Sequence, residues 1–278
     1  MLVSARPVSV IASWEYRTAV RARWVLTMAV VFGLLCVVVT LLAFRTVREL
    51  GLSGIGPASA TLVNLGVLLP SLMGLLLGAG SLVGAREQGM LAMICAQPLR
   101  RSAVATGAFL GLTASLCATL GIGFGVAMLI IAGVATASDV PALVTLIGAT
   151  LGVGAASVAI GVAISSLVSN RVQALTLAVG LWIVLSLGVD LALAALAPSV
   201  HLGPTGLLAA VLANPLEAGR ILALLGTNFE GTALGPFGAY LVGTFGRWGA
   251  VALLAASLVA WTLMPLGVAR WALPRKDL

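Results

Sequence analysis

The sequence predicts an all-α polytopic membrane protein with six transmembrane helices and both termini in the cytoplasm. Three observations carry this. Six long stretches hold almost no charge. The 278 residues are 61% hydrophobic and 8% charged, against about a quarter charged in soluble domains. The positive residues between the stretches fall mainly on alternate sides, as expected when Lys and Arg gather in cytoplasmic loops.

A helix needs roughly 20 apolar residues to cross the hydrocarbon core. The first span reads as Trp24–Phe44, between Arg23 and Arg45. Gly56 and Pro57 mark a loop, and the second span is Thr61–Gly84. Pro70 lies inside it and predicts a kink, because proline removes a backbone hydrogen bond. The uncharged run after Arg101 gives a third span, Val104–Gly133. Asp139 reads as the N-cap of a fourth that ends at Val168. The fifth is Ala174–Ala197, interrupted by Asp190, and the sixth is Trp248–Ala269.

With the N-terminus inside, eleven Lys and Arg residues are cytoplasmic, and only Arg45, Arg48, Arg220 and Arg247 are outside. Residues 1–23 lack the apolar run of a cleavable signal peptide. Ile11, Trp14, Tyr16 and Trp24, mixed with Arg17, Arg21 and Arg23, predict a helix lying in the membrane interface. Residues 24–270 make the transmembrane domain and 271–278 a cytoplasmic tail. The net charge of +7 points to anionic membrane lipids as partners. No basic, aromatic-interleaved surface for nucleic acid is present in the sequence.

Small residues in membranes let helices approach closely. Gly74 and Gly78, Gly80 and Gly84, Gly107 and Gly111, and Gly148 and Gly152 share GxxxG spacing, and Ser157, Gly161, Ser165 and Ser169 continue a small stripe. All predict tight helix packing. Asp190 is the one formal charge inside a span. A buried acid there costs at least a few kcal/mol, which makes it a functional candidate. Thr176, Ser186 and Asp190 share a helix face and are the transport-path candidates. The alternative is that Asp190 bonds a neighbouring helix or reaches a water-filled vestibule.

Catalytic chemistry finds no support. The single histidine, His201, follows Pro198 in an external loop. No HExxH, Walker A or CxxC motif occurs. Cys36, Cys95 and Cys117 are too scattered for a metal or disulfide framework. Met90, Met93 and Cys95 are soft ligands, but their spacing suits the buried side of a short helix, and no metal site is expected. The chain reads as neither enzyme nor cofactor carrier.

Two loops look purposeful. In the cytoplasmic loop 85–103, Met90, Leu91, Met93 and Ile94 form an apolar patch on a short helix that Pro98 ends, with Arg100 and Arg101 following. This suits docking to a soluble partner. In the external segment 198–247, Leu207–Ala213 reads as a short apolar helix. Asn214-Pro215-Leu216-Glu217 starts another, Arg220 is placed to pair with Glu217, and Gly226 stops it. Asn214, Pro215, Glu217, Arg220, Phe229 and Glu230 predict a platform for an external accessory protein, with Phe229 as apolar anchor. The alternative is a lid packed only on the protein itself.

Arg86, Glu87, Gly89, Leu91, Pro98, Arg101 and Gly107 resemble the layout around the coupling helix of ABC-2 exporter permeases. Gln88-Gly89-Met90 departs from it, where a second acid and a threonine are common. The resemblance implies an ABC-2 exporter-like permease fold in the inner (cytoplasmic) membrane. It implies a homodimer working with a cytoplasmic ABC ATPase dimer, which holds the ATP and magnesium. Coupling to that ATPase falls on Arg86, Glu87, Gly89, Met90, Leu91, Ile94, Pro98 and Arg101.

Trp182, Asp190, Asn214-Pro215, Arg220 and Phe229-Glu230-Gly231 are similar to the permeases of nitrous oxide reductase maturation transporters. This implies support for assembly of a copper–sulfur centre. The permease would move a sulfur species, or transmit motion to a periplasmic β-helical copper-binding accessory protein. Two other readings stand beside it: an exporter of lipid or drug-like molecules on the same fold, and a proton-coupled carrier using Asp190. The carrier lacks the internal repeat such proteins often show.

Overall fold

The computed structural model describes residues 5–50, 56–90, 101–132, 140–196, 203–227 and 234–273. Every regular element among them is a helix. In chain order these are α1 (Ala5–Arg21), α2 (Arg23–Leu50), α3 (Gly56–Glu87), α4 (Arg101–Ala132), α5 (Val140–Leu167), α6 (Arg171–Leu196), α7 (Pro204–Leu212), α8 (Pro215–Thr227) and α9 (Gly235–Ala272). Six of them, α2 to α6 and α9, are long and apolar enough to cross a membrane. Asp139, expected to cap α5, lies outside the described residues.

The centre of the fold is the contact between α3 and α5, and glycine makes it possible. A Cβ added to Gly78 would meet the Val158 carbonyl oxygen at 2.5 Å and the Val162 nitrogen at 2.7 Å. One added to Gly161 would meet the Leu75 carbonyl oxygen at 2.5 Å. Only two bare backbones fit there. One turn further on, the Val83 N–H donates to Ser165 Oγ at 2.9 Å. The small stripe on α5 thus packs as its spacing predicts.

The other glycine pairs divide. Gly107 and Gly111 of α4 receive α1: a Cβ on Gly107 would collide with the Ile11 side chain, and one on Gly111 with the Ala12 carbonyl and Glu15 Cβ. The N-terminal helix is therefore wedged against α4. Gly80 and Gly84 pack on nothing, since a Cβ on either would find open space within 4 Å. The expected packing role fails for that pair.

The flanking helices turn apolar side chains outward, among them Leu34 on α2, Val184 on α6 and Leu263 on α9. On α9, exposed Trp248 and Trp271 are separated by about 34 Å of helix at about 1.5 Å per residue. That matches the thickness of a bilayer, with an aromatic ring at each interface. Arg247 stacks over the Trp248 ring at 5.3 Å. Just before it, Gly246 breaks the helix with a φ of 67°, a conformation that glycine alone adopts readily. The candidate sixth span runs over the whole of Gly235–Ala272, longer than the Trp248–Ala269 expected from the sequence, with the break at Gly246 dividing it. The stretch before the break, expected as part of an external loop, is instead a helical arm from Gly235.

The helices α7 and α8 form a pair bent by 112°. The turn between them reaches deep. Its Leu212 carbonyl accepts from Ser257 Oγ at 3.1 Å and from Trp261 Nε1 at 3.0 Å. Trp261 lies about four helical turns along α9 from Arg247, well inside the span. A pair so bent is a broken span or a re-entrant loop, and a turn held at the middle of α9 fits the re-entrant form. The tip carbonyl takes two side-chain donors, as a backbone group at membrane depth requires.

Candidate coupling end and re-entrant pair

The last turn of α3 is clamped to the short turn between α5 and α6. Arg86 Nη1 donates to the Val168 carbonyl at 2.9 Å. Glu87 Oε1 accepts from the Arg171 N–H at 2.9 Å. Asn170 Oδ1 accepts from the Val172 N–H at 2.8 Å and so caps α6. Arg86 Nε and Nη2 are shielded from water and have no hydrogen-bond partner among the described residues.

Gly89 ends α3. Its N–H bonds the Arg86 carbonyl at 2.9 Å and its φ is 70°, the left-handed conformation favoured just past a helix C-terminus. It turns the chain into Met90. Of the remaining coupling candidates, Leu91, Ile94 and Pro98 lie outside the described residues, and Arg101 opens α4. The sequence points to Arg86 and Glu87, but not to the 168–171 turn as their partner. Residues so far apart in the chain leave no local pattern.

The transport-path candidates do not gather. Thr176 is exposed, whereas Ser186 is buried with Oγ bonded to the Ile183 carbonyl at 3.3 Å in its own helix. Asp190 belongs to α6, and its side chain lies outside the described residues. What ties α6 to the core is Trp182. Its Nε1 donates to Ser71 Oγ at 3.0 Å and to the Leu68 carbonyl at 3.3 Å, beside Pro70.

At the re-entrant pair the local reading holds and its setting is corrected. Asn214 Oδ1 accepts from the Leu216 N–H at 3.0 Å, Pro215 opens α8, and Glu217 pairs with Arg220 at 2.8 Å. Yet Asn214 is 2% and Glu217 7% exposed, and Pro215 is buried with them. These three residues face inward and cannot rim a docking platform. The cause is again small residues. Gly219 lies directly against Val153, and Gly226 against Thr145, so α8 sinks onto α5. Asn214 Nδ2 also donates to the Leu185 carbonyl of α6 at 2.6 Å. One amide thus caps α8 and binds it to α6. Glu217 sits in the first turn, where the helix dipole favours an anion. Phe229 and Glu230 lie outside the described residues.

Comparison with known proteins agrees with this architecture. The model of the ABC-2 family transporter protein matches residues 9–278. The chain is 32% identical over 262 residues to the probable ABC transporter permease protein NosY of Pseudomonas aeruginosa, covering 90% of this chain and 94% of that one. It is 31% identical over 232 residues to the protein of the same name from Stutzerimonas stutzeri, covering 81% and 84%. Six membrane-crossing helices, a clamped end on α3 and a match across nearly the whole length make one conclusion plain: this chain belongs to the ABC-2 family and is a multi-pass permease subunit of an ABC transporter.

Proposed function

We propose that the protein is the permease of a transporter supporting copper–sulfur centre assembly in nitrous oxide reductase. It acts as a homodimer in the inner membrane with both termini in the cytoplasm. A separate cytoplasmic ABC ATPase dimer binds ATP and magnesium. The observation that carries this reading is likeness to two permeases named NosY, over 90% and 81% of this chain.

The geometry supplies a route for the work. A push on the loop after α3 reaches Arg86 and Glu87, and through them the α5–α6 turn. The α3–α5 contact has no compressible side chains at Gly78 and Gly161, so the two helices move together. On its outer half α5 carries α8 through Gly219 and Gly226. Movement at the cytoplasmic end therefore displaces the re-entrant pair at the other. This favours transmission of motion to an external accessory protein, with Arg220, Phe229 and Glu230 left as its contacts, over passage of bare copper.

Deletion of the gene in a nitrous-oxide-reducing host tests the proposal. Nitrous oxide reductase should accumulate lacking its copper–sulfur centre, and the wild-type gene should restore it. Normal loading of the enzyme in the deletion strain would refute the assignment.

A further inference from the structure

A cavity of about 660 Å³ opens between α1, the start of α2, the last turns of α3 and the first turn of α6. That is the size of a site for a small organic ligand. Gly80 and Gly84 line it, and both leave space that a side chain would fill. Glu15 lines it from α1. Its residue is only 8% exposed, and its carboxyl has no hydrogen bond or ion pair among the described residues. Trp14 and Trp24 flank it, and Arg171 lies on its α6 wall. Leu76, Leu77 and Leu112 continue the lining as an apolar surface.

We propose that this cavity binds a phospholipid with an ammonium-bearing headgroup, the ammonium at Glu15 and the phosphate at Arg171. The charges decide the class. One acid and one guanidinium are matched together by a zwitterion, whereas an anionic lipid leaves the buried acid unpaired. Trp14 and Trp24 in the same lining are side chains of the kind that attract an ammonium. The acyl chain runs along the leucines. The opening lies at one end of the bundle, where α1 meets the start of α2 and the last turns of α3, a place suited to a headgroup. The site borders the clamp, since Arg171 gives its N–H to Glu87 and its side chain to the cavity, but it lies apart from the re-entrant pair, and the proposal does not depend on which substrate the transporter serves.

Capture of an ammonium needs Glu15 ionised. Burial pushes this carboxyl up to about 7. The elements around it bring Gly111 and Leu112 from α4, Trp24 from α2 and Ala85 from α3, and Arg171 is the one other charged group among the described lining residues. Lipid retention should therefore strengthen as pH rises from 6 to 8.

The test uses the full-length permease with its ATPase, extracted from membranes of phosphatidylethanolamine and phosphatidylglycerol in equal parts. Native mass spectrometry counts the lipids that remain. Wild-type protein should retain the ethanolamine lipid with a preference of about tenfold, as one charge-assisted contact in a poorly hydrated site gives. Glu15→Gln should bring the preference to the bulk ratio, and Gly80→Leu, which fills the cavity, should lose the bound lipid of either kind. The pH series on wild-type protein needs no variant to fold. Bulk ratios at every pH, or an unchanged preference in Glu15→Gln, overturn the proposal. Equal thermal stabilisation by free phosphoethanolamine overturns the lipid as its source.

Discussion

Arg86 reaches from the end of α3 to the carbonyl of Val168, 2.9 Å away and 82 residues later in the chain. This bond and its neighbour from Glu87 to Arg171 join two turns into one unit. A force delivered to either turn is felt by both.

The clamp predicts an uncoupled variant. Arg86→Ala should leave the ATPase bound and hydrolysing but lose most of its transport-linked output. Glu87→Gln keeps an oxygen that can accept from Arg171 and should stay near wild type, whereas Glu87→Ala should behave like Arg86→Ala. ATP hydrolysis and transport measured together in proteoliposomes check this. Intact coupling in both alanine variants would move the force path elsewhere.

The α3–α5 contact predicts sharp intolerance to a single methyl group. Gly78→Ala or Gly161→Ala drives a Cβ into backbone that cannot rotate away. The cost should be about 1–3 kcal/mol or more. Gly121→Ala, with nothing within 4 Å, should be neutral. Thermal unfolding in detergent separates the two sets.

Asn214 has two tasks that substitution can separate. Asn214→Ala removes the cap and the tie to Leu185, and should cost about 2–3 kcal/mol as a lost cap plus an orphaned buried acceptor. Asn214→Ser keeps a capping oxygen but cannot reach Leu185, and should recover about 1 kcal/mol. Denaturation midpoints of the three proteins give the order.

Glu15 predicts a pH signature in lipid-free detergent. Its carboxyl is raised by burial to about 7 in the folded protein, against about 4.3 when unfolded. Between these values the folded state holds more protons, so stability falls as pH rises through the window. Glu15→Gln should gain about 2–3 kcal/mol over wild type at pH 8 and nothing at pH 4. Melting curves at the two pH values decide it.

Orientation has its own check. In a cysteine-free background, impermeant thiol reagent applied outside intact cells should label Thr227→Cys and miss Ser102→Cys. Outside labelling at position 102 would invert the topology.

The helices were legible because their signals are local. Charges bracket each span, and Asn214-Pro215 with Glu217 and Arg220 marks the start of α8 down to the capping bond and the ion pair. Depth was not legible. Leu207–Ala213 and Asn214–Gly226 are each too short to span, and their polar residues read as water-facing. Their burial depends on Gly219 and Gly226 meeting Val153 and Thr145, contacts set by tertiary packing. Spacing likewise cannot tell Gly74 and Gly78, which pack, from Gly80 and Gly84, which border empty space. No local pattern marks Glu15, since its burial against Gly111 depends on how α1 meets α4.

The re-entrant pair also dictates an order of assembly. At 13 residues, α8 carries Glu217 and Arg220 and is too short to be threaded across a bilayer on its own. The donors that receive the turn of the pair, Ser257 and Trp261, lie on α9 and are synthesised after both α7 and α8. Until α9 has entered the membrane, the Leu212 carbonyl has neither of those donors and the ion pair has no finished cradle. A chain cut short before Trp261 should thus leave α7 and α8 stranded at the membrane surface, open to proteases and quality control, although every earlier span is already in place.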